Sequence, residues 1–491
     1  MEPRMALYRK ITWRLIPFLF GCYILAYVDR VNVGFAKLRM QTDLGMSDTV
    51  YGAGAGLFFV GYFLLEVPAN MMLRRLGARR WLGPIMIAWG LVSAATIFVQ
   101  GARSFYILRF LLGVVESGFF PGVMLYLTYW YPQHRRARVV AMFISANPLS
   151  GVFAGPVSGW ILARSHDLAS LRPWQLLFLV EGLPSVLAGV ATLLYLVDAP
   201  AQARWLDDGE RTTIAQDLEQ EEHAKRREGV SAHRFRDAFR SGNVWLLCLA
   251  FFGLQMGNYA LAFWLPQILK DTFTKDPWVI GLASTVPWGA AAIAMVIYAH
   301  HSDRTGERRW HVAAGVGIAG LTLAVGGLPG IAGWPGLALV TCTTVAIMCT
   351  QAVFWSLPTA VLSEAAAAGI AWINSVGNLA GYLSPFLVGR IRDTTGAMTL
   401  AYFVLGGSCL LTSALVLALT HRRKALGETQ SWTRRKGSDE LPLRPSSNCF
   451  PHERSHTQCD ARPIAGGTQG RREPAKGGRQ PDIVRPDDRR D

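Results

Sequence analysis

The stretch SFYILRFLLGVVESGFFPGVMLYLT, residues 104–128, decides how the rest of the chain is read. It is apolar for long enough to cross a bilayer, for which about 20 residues suffice. Yet it carries Arg109 and Glu116 within it. A charge at that depth is costly, so each such group is a functional candidate by default.

Further spans of the same kind lie outward from this one. On the amino-terminal side they fall near 14–34, 50–72 and 82–101, and after it near 138–163 and 174–197. Beyond a polar interval come 243–269, 279–300, 311–331, 334–358, 365–389 and 397–420. The expected fold is therefore all-α and membrane-embedded, with twelve transmembrane helices in two sets of six. The first span is too long for a cleavable signal, and a second apolar hairpin follows it at once. Basic clusters recur on one side: Arg4, Arg9, Lys10 and Arg14, then RRLGARR at 74–80, then Arg135, Arg136 and Arg138. Loops near 102, 270 and 332 carry little net charge. Both termini are thus expected in the cytoplasm, with the chain in the cytoplasmic (inner) membrane.

Composition excludes the main rivals. Hydrophobic residues make up 51% of the 491 and charged residues 17%, against about 25% charged in soluble domains. The charges concentrate in 198–242 and 422–491, leaving too few elsewhere for a water-facing surface. The net charge of +15 does not point to nucleic acid, because the basic residues sit in short clusters between apolar runs. The seven cysteines form no CxxC pair, and neither a disulfide framework nor a metal site is expected. No phosphate-cradling GxxxxGK[ST] loop occurs and no cofactor is expected. The domain reading is 1–197, a first six-helix bundle; 198–242, a polar cytoplasmic connector; 243–421, a second bundle; and 422–491, a disordered basic cytoplasmic tail.

The halves differ in chemistry. The first offers Asp29, Arg30, Glu66, Arg109 and Glu116; the second offers amides and rings, among them Gln255, Asn258, Tyr259, Trp264, Trp355, Asn374 and Asn378. Arg109 and Glu116 are seven residues apart and share one helical face. An arginine fork suits a carboxylate, and a carboxyl in a low-dielectric cavity can carry protons. The blander alternative is that Asp29–Arg109 or Arg30–Glu116 only fix helix packing. Glu66 reads as a gate residue, a partner for loop arginines. His300 and His301 find no further ligands to hold a metal. Gly151, Gly155 and Gly159 share a face and permit close helix approach.

At these residues the chain resembles a known family. DRTGERR at 303–309 is similar to the loop motif of the major facilitator superfamily, and RRLGARR is its counterpart after the second span, with Arg74 where Asp is usual. YVDRVNVGFA, EVPAN, LRFLLGVVESGFFPG, YWYPQHRRAR, FWLPQI and INSVGNLAGYLSPFLVG resemble one branch, the anion:cation symporter family. The resemblance covers residues 7 to about 422 and implies two six-helix bundles, each built from inverted three-helix repeats, rocking about a midplane site. It implies proton-coupled uptake of a small organic carboxylate: a hydroxydiacid such as tartrate, a sugar acid or an aromatic acid. Asp29 and Glu116 would handle protons. Arg30 and Arg109 would bind the anion, with Tyr27, Tyr62, Asn147, Tyr259 and Asn374 as cavity contacts. Asn147 stands where some sugar-acid carriers have glutamine. Glu66, Arg75, Gly77, Arg79, Asp303, Arg304, Gly306 and Arg308 would form the gate and loop motifs. The partners implied are the organic anion, protons and the bilayer, and the chain would work as a monomer rather than as an enzyme. A membrane-embedded enzyme acting on lipid-linked substrates would need an interfacial catalytic cluster, and a non-transporting sensor a signalling domain; neither is present in the sequence.

Overall fold

The computed structural model describes residues 2–164, 171–227, 242–361 and 366–438. The first half contains α1 (Glu2–Leu44), α2 (Asp48–Leu76), α3 (Ala78–Ala94), α4 (Ala102–Glu116), α5 (Phe119–Thr128), α6 (Gln133–Ile144), α7 (Ala146–Arg164) and α8 (Pro173–Tyr195). The connector contributes α9 (Asp208–Arg227). The second half contains α10 (Gly242–Thr272), α11 (Pro277–Thr305), α12 (Arg309–Gly326), α13 (Gly333–Phe354), α14 (Ser356–Val361), α15 (Ala366–Asn378), α16 (Ala380–Thr395) and α17 (Thr399–Ser438). Ten described helical stretches are long and apolar enough to cross a membrane. Two more, Arg309–Gly326 and Ala366–Thr395, occupy the places of the ninth and eleventh expected spans.

The ends of the spans differ from expectation. α1 is 43 residues long because no residue breaks it before Gly45, whose positive φ (61°) turns the chain. Lys37 and Arg39, which lie beyond the expected first span of 14–34, are therefore within a helix, and Lys37 is buried. Four spans are interrupted along their length: at Ser117–Gly118, Ser145, Trp355 and Leu379. Pro121 helps to make the first break, since it lacks an amide proton and its ring crowds the preceding turn. These are the fourth and fifth spans and their counterparts six spans later, so the two halves repeat the same irregularity. Helical backbone also continues into the expected tail as far as Ser438; no proline intervenes before Pro442. Residues 439–491 lie outside the described residues.

Call the side where α1 begins the near side. The described polar contacts between the halves all lie from the middle of the spans to the far side. Asp393 of α16 caps α2, accepting from the amides of Asp48 (3.0 Å) and Thr49 (2.7 Å). Arg392 pairs with Asp48 (3.1 Å) and Asp271 (2.9 Å). Lys37 donates to Gln41 (2.8 Å) and Gln267 (2.9 Å), pairs with Asp48 (2.8 Å), and lies over the Trp264 ring at 4.7 Å. Tyr51 donates to the Phe263 carbonyl at 2.8 Å. Gly151, Gly155 and Gly159 of α7 face α11: an added Cβ on Gly155 would lie 2.0 Å from Ser284 Oγ and 2.5 Å from the Gly281 carbonyl. On the near side α9 is clasped to the first half through Arg4–Asp217, Lys10–Glu210 and Arg136–Glu221.

Candidate functional site

Asp29 and Arg30 are consecutive on α1 and so point about 100° apart. Arg30 turns towards α4, where its guanidinium pairs with Glu116. Arg109, two turns before Glu116 on the same face, reaches the same place and donates to the Arg30 carbonyl at 3.3 Å. The Phe58 ring of α2 lies beneath both guanidinium carbons, at 5.0 Å from Arg30 and 5.5 Å from Arg109. Tyr27 and Tyr62 complete the wall, 5.9 and 5.6 Å from the Arg30 guanidinium. Several polar atoms here are buried without partners: Arg30 Nε, Arg109 Nε and Nη1, and Glu116 Oε2. Such orphans are costly in isolation. A bound carboxylate would satisfy the arginine donors, and a proton or a substrate hydroxyl would satisfy Glu116 Oε2.

Asp29 lies elsewhere. It points between α3 and α8 and accepts from Trp89 Nε1 (3.2 Å), Ser93 Oγ (2.8 Å) and Ser185 Oγ (2.5 Å). The alternative pair Asp29–Arg109 is not formed; among the described ion pairs, only Arg30–Glu116 of the two expected is present.

The second half brings Tyr259, whose ring packs 4.3 Å from Phe59 and whose hydroxyl donates to Asn378 at 3.0 Å. It is within electrostatic reach of Arg30. Trp288 meets Tyr27 edge-on at 6.5 Å, so both halves line the site. Asn374 stands one turn before Asn378, half-buried. Asn147 lies beside Tyr23, with its carbonyl oxygen buried and unpartnered. Trp264 belongs instead with Lys37 and Tyr51 on the far side.

The gate residues fold locally. Glu66 is one turn from Tyr62 and acts on it electrostatically. Among the described residues it pairs with no loop arginine, unlike the expectation. Gly77, at φ 83°, turns α2 into α3, and a Cβ there would press on the Asp198 carboxylate at 3.0 Å. Asp198 in turn accepts from the Arg79 amide at 2.7 Å, while the Arg79 side chain donates to the Leu193 carbonyl. Arg75 is exposed and the Arg74 side chain lies outside the described residues. In the other loop Asp303 pairs with Arg308 (2.6 Å), Arg304 is exposed and Gly306 ends α11 in left-handed backbone. Burial tends to raise the Glu307 carboxyl, but hydrogen bonds from Trp310 and His311 outweigh it and hold the group below the usual range. His301 meets His311 at 2.8 Å.

Tyr23, Glu181 and Asn32 were missed in the sequence. Tyr23 stacks on Phe143 at 4.7 Å within electrostatic reach of Arg30 and Glu116. The signal was present, because residues 23, 27 and 30 share one face of α1. Glu181 is a lone carboxyl in the middle of the sixth span.

Comparison with known proteins agrees with this architecture. A family model described as the Major Facilitator Superfamily matches residues 19–385. An Agrobacterium vitis protein named "Putative tartrate transporter" is 45% identical over 428 residues, covering 86% of this chain and 93% of its own. A Pseudomonas putida protein named "Putative metabolite transport protein NicT" is 45% identical over 416 residues, covering 84% and 94%. Among solved structures, a D-xylose–proton symporter superposes with a TM-score of 0.65 at 16% identity, covering 83% of this chain and 97% of that one.

Proposed function

This chain belongs to the Major Facilitator Superfamily, and from that premise we propose that it is a proton-coupled symporter bringing a hydroxydicarboxylate such as tartrate into the cell. The observation that carries the reading is the state of the two arginines. Arg30 is engaged by Glu116, while Arg109 beside it keeps two buried N–H groups unpartnered. One substrate carboxylate docks on Arg109. A proton on Glu116 removes the charge that holds Arg30, which is then free for the second carboxylate. Proton and anion therefore favour each other's binding, and by linkage each does so by the same factor. Substrate hydroxyls meet Tyr27, Tyr62, Asn147, Tyr259 and Asn374, and Asp29 supplies the other proton-handling carboxyl. Tartrate as the substrate is supported by the names of two Agrobacterium vitis relatives, each 45% identical.

The moving bodies in this reading are residues 1–197 and 243–421 of a monomer in the inner membrane, with the near side and both termini cytoplasmic. Far-side closure then corresponds to the inward-facing state. The test is uptake of labelled tartrate into proteoliposomes. An inward proton gradient is expected to drive accumulation in the wild type. Glu116→Gln is expected to lose accumulation and keep exchange of tartrate for tartrate. Wild-type uptake indifferent to the gradient rejects coupling. Failure of unlabelled tartrate to compete, while another carboxylate succeeds, rejects the substrate.

A further inference from the structure

Glu181 lies midway along α8 and is buried, 4% exposed. Its Oε1 accepts from Ser158 Oγ of α7 at 2.7 Å, and its Oε2 has no partner. Beside it on α1 is Asn32, fully buried and near enough to act on the Glu181 carboxyl as a donor, although no hydrogen bond of full geometry joins them. Among the described residues Glu181 pairs with no cation.

The groups around it are few. From α1 come Asn32 and Asp29, the ionisable group that acts on Glu181. From α7 comes Ser158. From α3 come Trp89 and Ser93, which serve Asp29 rather than Glu181. Ser185, one turn along α8, donates to Asp29. Asp29 is in turn within electrostatic reach of Arg109 and Glu116. Two carboxyls thus stand behind the arginine pair, joined to it by the field of Asp29.

An unpaired carboxylate in such surroundings is far costlier than a neutral acid. Asn32 can serve both forms. Its Nδ2 donates to an ionised Oε2, and after rotation of the amide its Oδ1 accepts the O–H of a protonated one. A side chain satisfied in either protonation state by a turn of its neighbour suits reversible loading better than fixed packing.

We propose that Glu181 is a further proton-binding site of the carrier, beyond Glu116 and Asp29, and that Asn32 is the amide that accommodates its loaded and empty forms. The proposal rests on the proton-coupled reading above, and the experiment keeps the two apart. The full chain in lipid is followed by infrared difference spectroscopy of the carboxyl C=O stretch across about pH 5–9, the range a tuned carboxyl can reach. The wild type is expected to show a titrating band that Glu181→Gln removes. Ser158→Ala, which keeps the carboxyl and alters its hydrogen bonding, is expected to keep the band and displace its midpoint. Parallel proton flux with labelled tartrate is expected to fall by about one proton per substrate in Glu181→Gln, the capacity of one carboxyl. A Glu181→Gln spectrum that titrates like the wild type overturns the proposal. So does a Glu181 band that does not change with pH. If Glu181→Gln does not fold, an unmoved midpoint in Ser158→Ala overturns it. Wild-type transport without proton flux rejects coupling itself and leaves the infrared result to be read separately.

Discussion

A rotation of about 100° between neighbours on α1 assigns Asp29 and Arg30 to different parts of the molecule. The sequence displays both charges and the seven-residue spacing of Arg109 and Glu116. It does not display which carboxyl meets which arginine, because that depends on how α1 is turned against α4. Asp29, held by three donors, gives a contrast that can be measured. Asp29→Asn can keep Trp89 and Ser185 on its oxygen and donate to Ser93, so its thermal unfolding in detergent is expected to stay close to wild type. Asp29→Ala leaves those groups unpartnered at about 1–3 kcal/mol each, and a marked fall in unfolding temperature is expected. Equal unfolding temperatures for the two variants count against the three-donor description. Arg109→Lys keeps charge and loses the fork. Uptake at low substrate is expected to drop roughly tenfold or more, from charge-assisted hydrogen bonds worth about 1.5–3 kcal/mol. Wild-type affinity in folded Arg109→Lys protein argues against anion docking there.

At the scale of the helix, apolar length located the spans and charge misplaced their ends. Lys37 falls beyond the expected first span because its partners Asp48 and Gln267 come from other helices, which a single segment does not reveal. Glu181 was legible by the criterion that picked out Glu116, a carboxyl inside an apolar span, but no arginine within two turns of it suggested a role. The glycine face of α7 was legible as a packing surface, although only the fold says that α11 is its partner. That contact gives a prediction. A methyl group on Gly155 would meet Gly281 backbone, which cannot swing aside as a flexible side chain would. Overpacking of this kind costs about 1–3 kcal/mol, so Gly155→Ala is expected to oppose far-side closure and slow transport more than it weakens binding. Crosslinking yield between cysteines placed across the far ends of α7 and α11 checks it, and an unchanged yield counts against the close approach.

Across the whole molecule, the described polar contacts between the halves gather towards one end. Arg392 serves Asp48 and Asp271 together, so Arg392→Gln is expected to favour opening on the far side. Partly exposed ion pairs of this kind contribute about 0.2–1 kcal/mol each, so the shift is expected to be modest. Solvent access to a cysteine introduced at Thr49 is expected to rise, and unchanged access would remove Arg392 from the closure. Lys37 has a consequence of a different sort. Its amine is 1% exposed among Asp48, Gln41, Gln267 and the Trp264 ring, and only separation of the halves on that side would uncover it. An acylating reagent added in solution should therefore spare Lys37 in the closed conformation and modify it once, when that side first opens. The rate at which the modified peptide appears, followed by mass spectrometry against the exposed Lys10, turns a native side chain into a reporter of far-side opening, with no label to engineer.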